Sequence, residues 1–209
     1  AIICARGGYG TTRILSNLDF SLFKKSPKWI TGFSDITALH LAIQKHNVQS
    51  IHGTVPVLFN RAGAASSVES LRQSLFGEMI NLTVGHDNLN KMGIGEGRLT
   101  GGNLSLIVDS LTTPSEIDTT NCILILEDVG EHFYKLDRML VQLKRAGKFD
   151  GVKGLIAGYF TDITESTLPF GETVQQIILN HTHSFNFPVA FGFPVGHEEP
   201  NLAWMCGAS

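Results

Sequence analysis

Apolar residues along this chain come in two rhythms. Short continuous runs at 1–5, 29–33, 48–51, 122–126, 154–160 and 187–191 read as strands, several buried on both faces. Between them, apolar positions recur every three or four residues: Ile36, Leu39 and Ile43; Leu104, Ile107 and Leu111; Leu136, Leu140 and Leu143; Val174, Ile177 and Ile178. That spacing predicts helices with one buried stripe. Shorter helical pieces are expected around Ile14, Leu15 and Leu18, and around Val68, Leu71 and Leu75. Alternation of strand and helix predicts an α/β protein with a parallel sheet. The small, polar stretch 60–69 is the best linker candidate, and 85–97 reads as turns between short strands. The expected organisation is therefore an N-terminal α/β unit over 1–60, a linker with a short helix over 61–85, and a C-terminal β/α unit over 86–209.

Polar residues gather where the apolar runs end. The first run is followed by Arg6-Gly7-Gly8-Tyr9-Gly10. Such a loop lets backbone N–H groups approach an anion. It is neither G-x-G-x-x-G nor a P-loop. The second run ends in Gly32-Phe33-Ser34-Asp35 and turns directly into a helix. A serine at such a strand–turn–helix corner presents its hydroxyl at the sheet end, which suits a nucleophile. It also suits a plain N-cap. A nucleophilic serine needs a base, and the chain has eight histidines. His40 and His46 share the Ser34 helix and are poor bases by local geometry. His181 and His183 sit near a helix C-terminus, where a cation is favoured. His86 and His132 fall in polar turns. His52 and His197 each follow an apolar run beside glycine, and spacing alone hardly separates them. Glu127 is the first polar residue after the run 122–126, with Glu131 as the rival acid. As helix-capping or solvated loop residues, Glu127 and Asp128 would have no such role.

Bulk properties narrow the function classes. A composition 43% hydrophobic and 17% charged is that of a globular protein. A net charge of −3 gives no reason to expect nucleic acid or an anionic membrane as partner. No apolar run has the length of a membrane span, and no signal peptide is visible. Cys4, Cys122 and Cys206 are an odd, scattered set, expected as free thiols in a reducing compartment. No C-x-x-C or H-E-x-x-H spacing occurs, so no metal or cofactor is expected. The opening run Ala1–Ala5 has no lead-in and the end has no terminating element, as in a piece of a longer protein.

Six short motifs occur in one order: Arg6-Gly-Gly-Tyr-Gly; Gly32-Phe-Ser-Asp-Ile-Thr; His52-Gly; Gly101-Gly-Asn-Leu; Leu126-Glu-Asp-Val-Gly-Glu with Asp137-Arg138; and Gly196-His197 before Asn201. Together they resemble the LD-carboxypeptidase family of serine peptidases, which includes the muramoyl-tetrapeptide carboxypeptidases and the microcin C immunity peptidases. The resemblance implies a flavodoxin-like N-terminal domain carrying the nucleophile and a swivelling β/α C-terminal domain carrying acid and base. It implies Ser34 as nucleophile, Glu127 as triad acid and His197 as base, with an oxyanion hole from the backbone N–H groups of Gly8 and Asp35. It implies a cytoplasmic, homodimeric hydrolase that releases terminal D-Ala from a murein tetrapeptide. The substrate ends in a carboxylate, and Arg6, Arg13 and Arg98 are candidates to meet it. Two departures are visible: the family's first strand and helix are absent, and Met205 stands where the family often has Pro. The alternative within the family is cleavage of a microcin-type aminoacyl-nucleotide conjugate, for which Trp204 is the candidate to stack on the base. The alternative of a different class is a non-catalytic binder of an anionic ligand.

Overall fold

A computed structural model describes residues 1–78, 81–85 and 87–209. Two four-stranded sheets organise it. In the first, β1 (Ile2–Ile3), β2 (Ile30–Gly32) and β3 (Ser50–His52) run parallel, and β8 (Trp204–Cys206) closes the edge antiparallel to β3. In the second, β4 (Arg98–Asn103), β5 (Cys122–Val129), β6 (Val152–Thr161) and β7 (Val189–Ala190) are all parallel. The helices are α1 (Thr11–Ile14), α2 (Ser21–Lys25), α3 (Thr37–Gln44), α4 (Ala65–Leu75), α5 (Leu104–Asp109), α6 (Phe133–Arg145) and α7 (Val174–Thr182). This is the α/β class with parallel sheets that the alternation predicts. The last strand, however, crosses back: residues 204–206 pair with β3 of the first sheet.

The main core lies on the second sheet. Leu136, Leu140 and Leu143 of α6 are fully buried against Leu124 and Leu126 of β5 and Ile177 and Ile178 of α7. Each such leucine contributes about 1.5–3 kcal/mol by leaving water. Gly147 at φ 70° ends the turn after α6 in the left-handed region that favours glycine.

Four expectations are corrected by these elements. The first run is a strand only over Ile2–Ile3, at the edge of its sheet, and these residues are 51% and 41% exposed. The stretch 60–69 is not simply a linker: its second half opens α4, and Ser67 and Ser70 are buried. The strand expected to stop at Leu126 continues to Val129, because β6 pairs with it as far as Val129↔Thr161. Glu127 and Asp128 are thus buried strand residues, neither caps nor solvated loop. His86, read as a solvated turn residue, lies outside the described residues.

Candidate active site

The carboxyl ends of both sheets supply the site. Backbone geometry prepares the first side. Ser34 follows β2 with φ 63°, a left-handed conformation rare for a residue with a side chain and frequent at functional corners. Its hydroxyl lies 3.0 Å from His197 Nε2. The loop after β1 passes directly over it. A Cβ added to Gly7 would stand 3.0 Å from Ser34 Cβ and 3.3 Å from Ser34 Oγ, so only glycine lets the backbone come this close. Gly8 follows at φ 127°. The Asp35 carboxylate ties the loop down by accepting from Thr11 N (3.0 Å) and Thr11 Oγ1 (2.7 Å).

Burial and side-chain bonds prepare the second side. Glu127 is fully buried. Its Oε2 lies 2.7 Å from His197 Nδ1, and His197 Nε2 lies 3.0 Å from Ser34 Oγ. A carboxylate only accepts, so Nδ1 carries the proton and Nε2 is left to accept from the Ser34 hydroxyl. Residues 163 apart in the chain thus meet. Glycines give Glu127 its space: a Cβ on Gly196 would reach within 3.2 Å of Glu127 Oε2. Phe33 packs against the His197 ring at 4.9 Å.

Next to Glu127 lies a buried acid whose position did not suggest a partner set. Asp128 accepts from Asn103 Nδ2 (2.9 Å), Ser105 N (3.0 Å) and Val129 N (2.9 Å). Burial foremost, with the neighbouring Glu127 charge adding to it, pushes Asp128 up to about 7, while these donors pull the other way. Asn103 also caps α5 and donates its own N–H to Thr37 Oγ1 (3.1 Å) at the head of α3. A Cβ on Gly102 would meet that hydroxyl at 2.6 Å. The two sheets therefore dock closely beside the site. The motif Gly101-Gly-Asn was the only sequence signal for this contact.

The other candidates lie apart from this line. His52 is fully buried, stacked on Trp204 at 5.1 Å and edge-on to Phe33 at 5.9 Å. Burial first, and nearby His40 and His197 next, hold its pKa well below the usual range. His40 spans Ser50 Oγ (2.8 Å) and the Gly32 carbonyl (2.9 Å), and burial lowers it to about 4. His132 bonds Thr164 Oγ1 at 2.9 Å, and His181 meets Asp137 at 2.7 Å. Glu131 pairs with Lys135 at 3.3 Å. Arg98 bonds Gln44 (2.8 Å) and the Asp118 carbonyl (2.8 Å) at the start of β4, whereas its last residue, Asn103, pairs with Glu127. Five residue steps along the strand separate the two ends, about 16 Å, which removes Arg98 from the candidates. Arg6 is exposed beside the loop and donates to the Gly7 carbonyl at 3.2 Å. Trp204, expected to offer a stacking face, is 5% exposed and occupied by His52. Among the described residues the three cysteines are free, and no helix is long and apolar enough to cross a membrane.

Comparisons with known proteins point to one family. Two family profiles match, the LD-carboxypeptidase N-terminal domain over residues 1–53 and the LD-carboxypeptidase C-terminal domain over residues 96–209. A relative from Bacillus subtilis (strain 168), named "Probable murein peptide carboxypeptidase", is 37% identical over 216 residues, covering 100% of this chain and 67% of its own. The crystal structure of muramoyltetrapeptide carboxypeptidase from Oxalobacter formigenes superposes with a TM-score of 0.86 at 31% identity, covering 98% of this chain and 72% of that one. The structure of MccF in complex with glutamyl sulfamoyl guanosine superposes with a TM-score of 0.83 at 20% identity, covering 99% and 70%, a likeness of fold.

Proposed function

Because the chain belongs to the LD-carboxypeptidase family, a serine peptidase family, we propose that it hydrolyses the LD-peptide bond that releases terminal D-Ala from murein tetrapeptides. The observation that carries this reading is the continuous line from Ser34 Oγ through His197 to buried Glu127. Ser34 attacks the carbonyl carbon before the terminal D-Ala while His197 Nε2 takes its proton. The backbone N–H groups of Gly8 and Asp35 stabilise the oxyanion, each worth roughly 10²–10³ in rate. His197 then returns the proton to the leaving amine, and the bond from carbon to nitrogen breaks. A water, deprotonated by the same imidazole, hydrolyses the ester on Ser34. Glu127 keeps Nδ1 protonated and stabilises the imidazolium. Exposed Arg6, beside the glycine loop, meets the substrate's terminal carboxylate.

Among the family's chemistries, the burial of Trp204, the residue expected to stack on a base, favours the murein peptide over an aminoacyl-nucleotide conjugate. A strained nucleophile already aligned with its base favours an enzyme over a binder of anions. The cytoplasmic, homodimeric form expected from the sequence belongs to the same proposal. The test is incubation with a murein tetrapeptide and with an aminoacyl-sulfamoyl nucleoside, followed by mass spectrometry. D-Ala release, with an acyl intermediate trapped on Ser34, is expected from the first alone. Cleavage of only the second substrate, or of neither, would overturn the reading.

A further inference from the structure

The loop that presents His197 has no secondary structure of its own. No helix or strand occurs between β7 and β8. Gly196, just before His197, sits at φ 130°, a conformation that residues with side chains rarely adopt. Local preference therefore does not hold the loop in this shape.

Main-chain bonds hold part of it: Tyr159 N of β6 donates to the Val195 carbonyl and Leu202 N to the Pro194 carbonyl, each at 2.7 Å, and the rest of the hold comes from α4, more than a hundred residues earlier. Ser67 and Ser70, three apart, face the same side of that helix. Ser67 Oγ donates to the Glu199 carboxylate and accepts from Asn201 N at 2.8 Å. One turn on, Ser70 Oγ accepts from Ala203 N at 2.9 Å and donates to the Ser67 carbonyl at 2.9 Å. Asn201 Oδ1 accepts from Gly196 N at 3.1 Å, which closes a ring of chain with His197 inside it. Arg61, just before α4, donates to the His197 carbonyl at 3.2 Å. Ser67, Ser70 and Asn201 are no more than 4% exposed. A buried hydroxyl bonded as both donor and acceptor cannot be replaced by alanine without orphaning groups on the loop.

We propose that Ser67, Ser70 and Asn201 are positioning residues that hold the His197 imidazole between Ser34 and Glu127, with α4 as their splint. This rests on the reading of His197 as the base for Ser34. The bonds grip backbone N–H groups at 196, 201 and 203, so they set the path of the loop and leave the imidazole free to transfer protons. A shift of about 1 Å in a reacting group can cost roughly a hundredfold in rate.

Ser67→Ala, Ser67→Thr, Ser70→Ala and Arg61→Ala in the full chain test this, with four readouts. These are the melting temperature, the rate of Ser34 labelling by a fluorophosphonate, kcat and KM for D-Ala release, and the low-field proton resonance of the His197 Nδ1–H. Ser67→Ala and Ser70→Ala are expected to slow labelling and kcat tenfold to a hundredfold, with KM within twofold, and to broaden the resonance. Ser67→Thr, which keeps the hydroxyl, is expected to stay within fivefold of wild type. Exposed Arg61→Ala, which leaves the core intact, is expected to slow labelling two- to fivefold, so the idea remains open to refutation even if a buried serine variant does not fold. Folded variants that label at the wild-type rate with an unchanged resonance would overturn the proposal. If wild type labels at Ser34 but releases no D-Ala, while labelling still slows in Ser67→Ala, the substrate reading falls and the positioning role stands.

Discussion

The two sides of the site are held by different means. On the first sheet, Ser34 is set chiefly by main chain, with a left-handed φ and a glycine loop laid against its Cβ, and one side chain, Asp35, ties Thr11 at the end of that loop. On the second, Glu127 and the His197 loop are set by burial and by side chains from distant segments. The difference teaches where precision comes from. Backbone strain is local and persists only while its close neighbours, Gly7 above all, leave room for it. A loop gripped by hydroxyls depends on every partner. The two sides should therefore fail differently when broken.

The largest expected effect comes from breaking the line from Ser34 through His197 to Glu127 itself, from either side. Glu127→Gln keeps the shape but allows the wrong imidazole tautomer and cannot stabilise the imidazolium. By the behaviour of such triads, kcat should fall about 10⁴-fold with KM little changed. Glu131→Gln, whose carboxylate meets Lys135, should stay within a few-fold. Steady-state assays of both variants check this, and the reverse ranking would move the acid to Glu131. Ser34→Ala should likewise remove essentially all turnover while binding persists.

The next effect is on the first side. A methyl group on Gly7 would press on Ser34 at 3.0 Å from its Cβ. Gly7→Ala should cost about a hundredfold in kcat by displacing the nucleophile, with the fold retained. A Gly7→Ala enzyme with wild-type turnover and melting temperature would show that the loop yields freely, and the contrast between rigid and gripped sides would fail. A smaller effect is expected from Arg6→Ala. It should raise KM about tenfold, on the order of one charge-assisted hydrogen bond, and leave kcat near wild type. Arg98→Ala, at the far end of β4, should change neither. A KM that responds to Arg98 instead would reassign the carboxylate site.

The same contrast explains what was legible in the sequence. Gly32-Phe33-Ser34-Asp35 announces itself because strand, turn and helix adjoin in the chain. Gly7-Gly8 is legible for the same reason, although only the structure shows that it is Gly7 whose Cα faces Ser34. Glu127 is visible as the end of an apolar run, but its burial is not, since that depends on β6 pairing beyond it. The stretch 60–69 misleads because small polar residues serve flexible linkers and tightly packed helices alike. Only Asn201 and Ala203, far along the chain, decide that Ser67 and Ser70 belong to the second kind. Trp204 is similar: its partner His52 comes from the strand beside it, and the return of β8 to the first sheet has no local signature. That His197 rather than His52 lies at Ser34 also depends on long-range contacts.

The last and smallest effect is in stability against pH, where the two sides carry buried groups of opposite sign. On the first sheet, His40 has a folded pKa of about 4, below its ordinary 6.5, and His52 shifts the same way. The unfolded chain binds those protons first, so their contribution is present above pH 6.5 and is lost as pH falls toward 4. On the second sheet, Asp128 has a folded pKa of about 7, above its ordinary 3.8. Here the folded chain holds the proton more tightly, so the contribution is present below about pH 4 and is lost as pH rises through 7. Across pH 4 to 6.5 the slopes oppose, two histidines against one carboxyl, so on their account the wild-type melting temperature should fall on acidification, but by less than the histidines alone would give. Asp128→Asn removes the carboxyl's slope. It should lower stability at neutral pH, because an amide cannot accept from all three N–H donors, and it should also steepen the loss on acidification. At about 1.4 kcal/mol per pKa unit, the shift from 3.8 to about 7 makes the added loss on the order of 4 kcal/mol, or roughly 8–16 °C in a chain of this size. Melting curves of wild type and variant at pH 4, 5.5 and 7 decide it. Parallel curves would mean that the donors from Asn103, Ser105 and Val129 keep Asp128 charged throughout. The buried charge on the second side would then be held by its hydrogen bonds against the cost of burial.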